Sequence, residues 1–567
     1  MSNLEKMLEE DFEVHDLKHL PIISHYVKKL GIVELLDQLV PSEMTVSVGD
    51  FVLAMVLDTL SGRTPLYRLE KFFEGQNIEL LLGKKYKSTD FNDDNAGRML
   101  DKIYKAGSMK LFTQCALKAA HKSDISFDVL RYDTTSRNVS GDYVQNKDSS
   151  AFSMKYGYSK DKRPDLKQFV IGALCIDKAV PVFASFEDGN ASDKKLNYNV
   201  LSMLSKSLIK DEKKLKNAIY VADAALVSKE NLKILKDTLF VTRLPANYKA
   251  LEKVVEKAIY ANNFKDVGVL AETPASSKQP RASYRVAEEE ITLHSKKYRA
   301  IIVQSSTHDK RRMKRLENEK KKSLKETKAF IKKEATIEYA CQKDASEAAK
   351  RIMKKTFPFH KIQAQVIQQV KYAKGRPSKT KPRQIKELNY VIETKIVEDS
   401  ESIERKKLLL SCFVLLSNVP KSGEQAKKPS ELLKIYKEQH GIERNFSFLK
   451  DPMIVNSLFL KNENRIEALG LILLISLLVW RLMERNMRKF VEKKKIELVG
   501  LDKKKTKRPT SYMITIHFMF VLVIKIGKRW RLAKPLTPIQ KSYLAALDVP
   551  FDIFTKTIQP KTTETRG

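Results

Sequence analysis

The chain has 567 residues, more than one hydrophobic core serves, so several structural units are expected. Lys and Arg number 105 against 69 Asp and Glu, a formal net charge of +36. The excess runs through the whole chain rather than one tail, which points to a polyanionic partner and, among those, to nucleic acid.

Four cysteines (Cys115, Cys175, Cys341, Cys412) are scattered with no CxxC pair. That argues against a zinc site or a disulfide framework and fits a reducing cytoplasm. The segment MSNLEKMLEEDFEVHD is acidic and has no apolar h-region, so no signal peptide is expected. Ala468 to Trp480 and Met513 to Ile524 are the most apolar stretches, and both fall short of the roughly 20 residues that cross a bilayer. Both are expected as buried core, and no membrane association is expected.

Residues 1–120 read as a helical domain. VGDFVLAMVLDTL (48–60) and AGRMLDKIYKAG (96–107) repeat apolar residues every three or four positions, and Phe91 to Asn95 offers N-caps for the second. A helix-turn-helix-like reader of DNA and a plain packing domain fit this pattern equally.

From 121 to 245 the texture becomes β-rich. FDVLRYDTTS (127–136), QFVIGALCID (168–177) and VPVFASFED (180–188) suggest strands in hairpins. DKKLNYNVLSMLSKSL (193–208) reads as a helix, followed by strands in NAIYVADAAL (217–226) and LFVTRLP (239–245). Hairpins followed by alternating helices and strands predict an α/β fold, a mixed sheet flanked by helices.

Residues 246–405 interrupt that pattern and read as an inserted, basic domain of helices and strands. It holds the basic helix-prone run 309–333, strand-like pieces at 362–372 and 388–398, and a basic Gly/Pro loop (371–383) around Arg376. The run fits a DNA clamp and a solvated helix equally well. The Gly375-Arg376-Pro377 core suits the minor groove of A·T-rich DNA, although an ordinary basic loop has the same composition. Core-like sequence returns in 406–500, with LLLSCFVLLSN (408–418) read as a strand, and 501–567 forms a basic C-terminal segment.

Three carboxylates stand where metal chemistry would need them. Asp133 and Asp223 each follow apolar strand residues, at the expected rim of a sheet, and Glu443 lies in ELLKIYKEQHGIERNFSFLK (431–450), read as one helix around Gly441. Hard oxygen donors of this kind suit Mg²⁺, and two such ions a few Å apart can drive phosphodiester chemistry. Taken singly, an Asp after a strand is commonly a turn residue and a Glu on a Lys-rich helix a solvated charge.

The segment Tyr436 to Lys450 resembles the Tyr-Arg-Glu-Lys signature of DDE transposases from bacterial insertion sequences. Tyr436, Glu443 and Lys450 match in type and spacing, while Gln439 stands at the arginine position and lacks its charge and forked geometry. YDTTS around Asp133, MKYGYSKDKRPDLKQFVIGAL (154–174), EDGNASD (187–193), VADAALVSKENL (221–232) and FLKNENRIEALGLILL (459–474) are similar to further motifs of that family.

The resemblance implies an RNase H-like core with an insertion between the second aspartate and the glutamate. It implies a cut-and-paste transposase working in the cytoplasm on the nucleoid. Asp133, Asp223 and Glu443 would be catalytic and hold Mg²⁺ or Mn²⁺, as two ions. The DNA partners would be the terminal inverted repeats and target DNA, bound by a homodimer. Tyr436, Gln439, Lys450 and Arg376 are the candidate DNA contacts, with Tyr436 equally suited to packing. The alternatives are a catalytically inactive DNA-binding derivative and another RNase H-like nuclease. No P-loop or GxGxxG stands in the chain, and His360 and His440 lack partners at metal-ligand spacing.

Overall fold

The computed structural model describes residues 12–141, 143, 152–158, 161, 163–203, 217–235, 238–271, 281–307, 310–334, 336–374, 383–451, 460, 462–526 and 529–556. The chain forms two compact units, Met1–Thr242 with Ile435–Gly567, and Arg243–Lys434.

The first unit opens with a short strand, β1 (Phe12–Asp16), and seven helices: α1 (Leu20–Lys29), α2 (Ile32–Leu39), α3 (Val48–Thr59), α4 (Leu69–Glu74), α5 (Ile78–Leu82), α6 (Asp93–Lys105) and α7 (Ser108–Lys122). Helix α3 starts at Ser47, whose hydroxyl accepts from the Asp50 amide, and α6 starts at Asn92, which caps Asn95 in the same way. Every residue of α3 is buried, so this helix packs on all sides and has no free face to lay against DNA.

A mixed sheet follows. Strands β2 (Val129–Val139), β3 (Lys167–Ile176) and β4 (Val180–Glu187) pair antiparallel. After helix α8 (Asp193–Met203), strand β5 (Ile219–Ala222) joins parallel to β2. After helix α9 (Lys229–Ile234), strand β6 (Leu239–Arg243) joins parallel to β5. The order in this unit is β4-β3-β2-β5-β6, so β2 lies at the centre. Its sequence, VLRYDTTSRNV, carries polar side chains into a largely buried strand.

In the second unit strands β7 (Lys265–Val269), β8 (Ser283–Leu293) and β9 (Lys296–Ser305) pair antiparallel, and helix α10 (Lys249–Ala261) packs on β8 and β9. The basic run becomes helix α11 (Lys310–Glu334), followed by α12 (Gln342–Lys354) and a long hairpin, β10 (His360–Tyr372) and β11 (Ile385–Glu398). Helix α13 (Ser400–Ser411) runs directly into β12 (Cys412–Ser417), which pairs antiparallel with β9. The stretch read from sequence as one strand, 408–418, is thus helical through Ser411. Apolar runs without clear alternation do not distinguish the two. Helix α14 (Pro429–Lys437) carries the chain back to the first unit.

There, helix α15 (His440–Lys450) is followed by α16 (Glu463–Lys494), 32 residues long. Helix α16 is apolar and long enough to cross a membrane, yet its apolar window is 83% buried inside the unit. It packs against α3, α6, α7 and β4, tying the N-terminal helices and the sheet into one core. Arg465 grips Asp101 of α6 with two bonds of 2.8 Å, directly over Gly97. Gly470 brings α16 against the Phe186 ring, where an added Cβ would stand 2.2 Å from the ring edge.

The pairs β13 (Leu498–Val499) with β14 (Lys505–Thr506), and β15 (Leu522–Ile526) with β16 (Arg529–Leu532), complete the unit together with helices α17 (Ser511–His517) and α18 (Pro538–Leu547). The expectation that Met513 to Ile524 is buried throughout needs correction. The segment breaks between α17 and β15, and Phe520 at the break is 86% exposed.

Candidate functional site

Alternation along β2 sets the site. Side chains two apart share a face of a strand, so Arg131, Asp133, Thr135 and Arg137 look one way and Tyr132, Thr134 and Ser136 the other. Contacts identify what covers the first face. Arg131 Nη2 donates to Glu438 at 2.7 Å, and Arg137 donates to the Leu449 carbonyl at 3.1 Å. Cys175, the β3 partner of Arg131, meets Asn445. Glu438, Asn445 and Leu449 flank or belong to α15, so the helix of Glu443 lies over the face of β2 that carries Asp133.

Asp223 joins from the neighbouring strand. The parallel register pairs Val129 with Ile219 and Arg131 with Val221. The pairing ends there, with Asp133 two residues further along β2 and Asp223 just past the end of β5. Asp223 directly follows β5 and caps the short turn after it, its carboxylate accepting from the Ala225 amide at 3.0 Å and its carbonyl from the Thr242 hydroxyl at 2.7 Å. Asp133 accepts from the Thr134 amide at 2.7 Å and is only half-buried. Burial pushes the Tyr220 phenol far above its ordinary value; Tyr132 and the negative charge of both Asp223 and Asp133 push it further. Both carboxylates therefore stand within electrostatic range of one ring.

Glu443 occupies the first turn of α15, where the helix dipole favours a negative charge. Its side chain is 65% exposed and meets His440 Nδ1 at 3.0 Å. Among the described residues no three His, Cys, Asp or Glu side chains stand close enough to hold a metal ion. The donor chemistry of the two aspartates fits a hard divalent cation. Glu443 would complete such a set only after leaving His440.

The helix read from sequence as continuous over 431–450 is two helices, α14 and α15, with a break at Glu438 and Gln439. Two contacts account for it. Glu438 is drawn to Arg131 and, at 3.5 Å, to Lys178. Gly441 sits so close to the β3–β4 turn that an added Cβ would stand 2.0 Å from the Lys178 carbonyl oxygen. The two-turn spacing that would put Tyr436 on the Glu443 stripe therefore does not hold. Tyr436 and Gln439 are both half-buried, and Gln439 lies just before α15 with no side-chain cap. Lys450 does share a helix with Glu443, and it pairs with Asp161 at 3.0 and 3.1 Å. Arg376 lies outside the described residues.

Several residues of this site carry no motif. Arg131, Arg137 and Glu438 are examples, and so is Asn445, which is fully buried and joins α15 to the Ala179 carbonyl and to Arg481 of α16. On the opposite face Thr134 donates to Asp193 at 2.6 Å. The period-2 reading of LRYDTTSR would have singled out Arg131 and Arg137 as charges sharing the Asp133 face.

A family description, "Domain of unknown function (DUF4277)", matches residues 12–117. The match covers β1 and helices α1 to α6 with most of α7, and stops short of Asp133. No curated protein matches the chain.

Proposed function

We propose that this chain is a DNA transposase of the DDE kind, cutting the ends of a mobile element and joining them to target DNA. What supports the reading is that Asp133 on β2 and Asp223 just past β5 belong to neighbouring parallel strands and both bear on the Tyr220 ring, with the helix of Glu443 over the Asp133 face of β2. Three strands in antiparallel hairpins, β2 to β4, followed by β5 and β6 parallel to the central β2, in the order β4-β3-β2-β5-β6, suit an RNase H-like core, and the unit Arg243–Lys434 falls between the second aspartate and the glutamate.

Asp133 and Asp223 would hold Mg²⁺ or Mn²⁺, with Glu443 as the third ligand. A bound pair of such ions supplies an activated water or 3′-hydroxyl and stabilises the leaving oxygen. The chain's own residues do the positioning. Thr134 and Ala225 amides orient the two aspartates, Asn445 and Arg137 fix α15 over β2, and Lys450 offers a charge that a DNA phosphate would take from Asp161. The DNA partners are the element's terminal inverted repeats and the target duplex, held by a dimer on the nucleoid.

The test is a cleavage and joining assay on duplexes carrying the repeats that flank the gene, with Mg²⁺ or Mn²⁺. Asp223→Ala and Glu443→Ala are expected to lower both steps by about 10²- to 10³-fold while DNA binding persists. A second reading, a DNA-binding derivative without catalysis, is favoured by the exposed Glu443–His440 pair and by Gln439. Binding of the ends by the unmodified protein without any nicking or joining in either metal selects that reading instead.

A further inference from the structure

The hairpin β10–β11 pairs without interruption from His360 with Glu398 to Lys371 with Glu387, a ribbon about 40 Å long at the usual rise per strand residue. Its alternation sorts two unlike faces. One is apolar: Ile362 and Ile392 are buried against Ala348, Ala349 and Ile352, with Ala364 and Val366 beside them. The other faces solvent: Gln363, Gln365, Ile367 and Gln369 stand opposite Lys395, Glu393, Val391 and Asn389, with Gln365 donating to Glu393 and Asn389 to Glu338.

Strand propensity does not ask for this composition, since Gln and Asn are poor strand formers beside Thr, Val or Tyr. Solubility does not ask for Ile367, which is 40% exposed. The side chains of Gln363, Gln369 and Lys395 make no hydrogen bond among the described residues. The hairpin with its connecting segment, residues 360–398, carries nine Lys and Arg against three Glu.

These properties match one surface. The major groove of duplex DNA admits a two-stranded ribbon, a side-chain amide pairs with both N6 and N7 of adenine, and an apolar side chain packs on the thymine methyl. Lys395 and Lys386, and Lys361 and Lys371 in exchange for their pairs with Asp399 and Glu338, fit the flanking phosphates, where each neutralised charge adds affinity.

We propose that the outward face of β10–β11 enters the major groove and reads A·T base pairs through Gln363, Gln369 and Ile367. The ribbon would thus be a sequence-reading element, a role that rests on the transposase reading only for its purpose, the choice of the DNA ends.

The experiment uses the full chain and a randomised duplex library, from which bound sequences are recovered. The recovered duplex is then remade with 7-deazaadenine, which lacks the N7 acceptor, or with uracil in place of thymine, which lacks the methyl group. Each change at a contacted pair is expected to weaken binding by about fivefold or more. Gln363→Ala/Gln369→Ala protein, whose altered side chains are exposed and whose folding is checked by circular dichroism, is expected to bind the unmodified duplex more weakly and to ignore 7-deazaadenine. Failure to enrich any sequence overturns the proposal, as does indifference of the unmodified protein to both base analogues. Cleavage and joining by the double variant with unchanged sequence choice removes the ribbon's role and leaves the transposase reading intact. Gln-dependent recognition without cleavage does the reverse.

Discussion

Arg131 and Glu438 form an ion pair of 2.7 Å that fastens the approach to the Glu443 helix to the strand that carries Asp133. Arg131 is 2% exposed, and among the described residues its Nε has no hydrogen-bond partner, so Glu438, ahead of Cys175 and Asp177, is its main electrostatic compensation. Burial lowers the pKa of this guanidinium, and Glu438 opposes that shift. Glu438→Gln leaves a buried cation without its counter-charge and is expected to cost about 3 kcal/mol, the usual scale for breaking one side of such a pair. Arg131→Met/Glu438→Gln removes both charges and should recover most of the loss. Urea unfolding of the three proteins decides it: a Glu438→Gln cost under about 1 kcal/mol would mean that solvent reaches Arg131 after all.

Gly441 is a second fastening of the same helix. Alanine is normally better than glycine within a helix by about 1 kcal/mol, so Gly441→Ala at an open position would stabilise. Here the added methyl would meet backbone, the Lys178 carbonyl oxygen at 2.0 Å, and backbone yields less than a side chain does. Gly441→Ala is expected to destabilise by about 2 kcal/mol, as overpacking does, and to displace Glu443 from β2. A thermal melt that rises instead would show that α15 stands off the β3–β4 turn.

Strands β3 and β5 were legible because they are apolar runs with polar punctuation, and such runs carry their own signal, whereas only the start of β2 is apolar and its polar remainder is less distinct. Their pairing was not legible. That Asp133 and Asp223 come from neighbouring strands depends on which strands pair, a long-range choice to which periodicity is blind. The break before α15 was hidden for a similar reason. Residues 431–450 have helical spacing throughout, and what interrupts them is Arg131, some 300 positions earlier. The solvent-facing amides of β10–β11 were visible as letters but not as a face, because without the partner strand Gln363 and Asn389 have no common surface.

The contact between His440 and Glu443 holds the third candidate ligand on the helix surface. Both side chains are largely exposed, so the bond is weak, at most about 1 kcal/mol. If Glu443 must leave it to meet a cation at Asp133 and Asp223, His440→Ala frees the carboxylate. The half-saturating Mn²⁺ concentration for end cleavage should then fall by no more than about fivefold, with the maximal rate little changed. A higher Mn²⁺ requirement would assign His440 a supporting role at the metal instead.

His19 provides a pH test of the N-terminal helical region. It is buried, its Nε2 meets the Leu60 carbonyl at 2.9 Å, and among the described residues its Nδ1 has no partner. A neutral ring that donates from Nε2 fits this pocket, whereas a second proton on Nδ1 would bury an uncompensated charge. Burial accordingly lowers its pKa to about 4, against an ordinary value of 6.5. Between these two values the unfolded chain binds the proton and the folded chain does not, so stability falls as the pH falls. The contribution is fully present above pH 6.5 and is lost progressively down to pH 4, reaching about 3 kcal/mol. Asp58, buried nearby with its pKa raised to about 6, works the other way, since its carboxyl takes up a proton in the folded state first and so favours folding as the pH drops. The two must be separated by substitution. His19→Asn keeps a donor for Leu60 and removes the titration. Relative to the unmodified chain, its stability should improve between pH 6.5 and 4 by about one proton's worth of slope. Parallel pH profiles for the two proteins would mean that His19 is protonated in the folded state, and that the pocket holds a compensating charge.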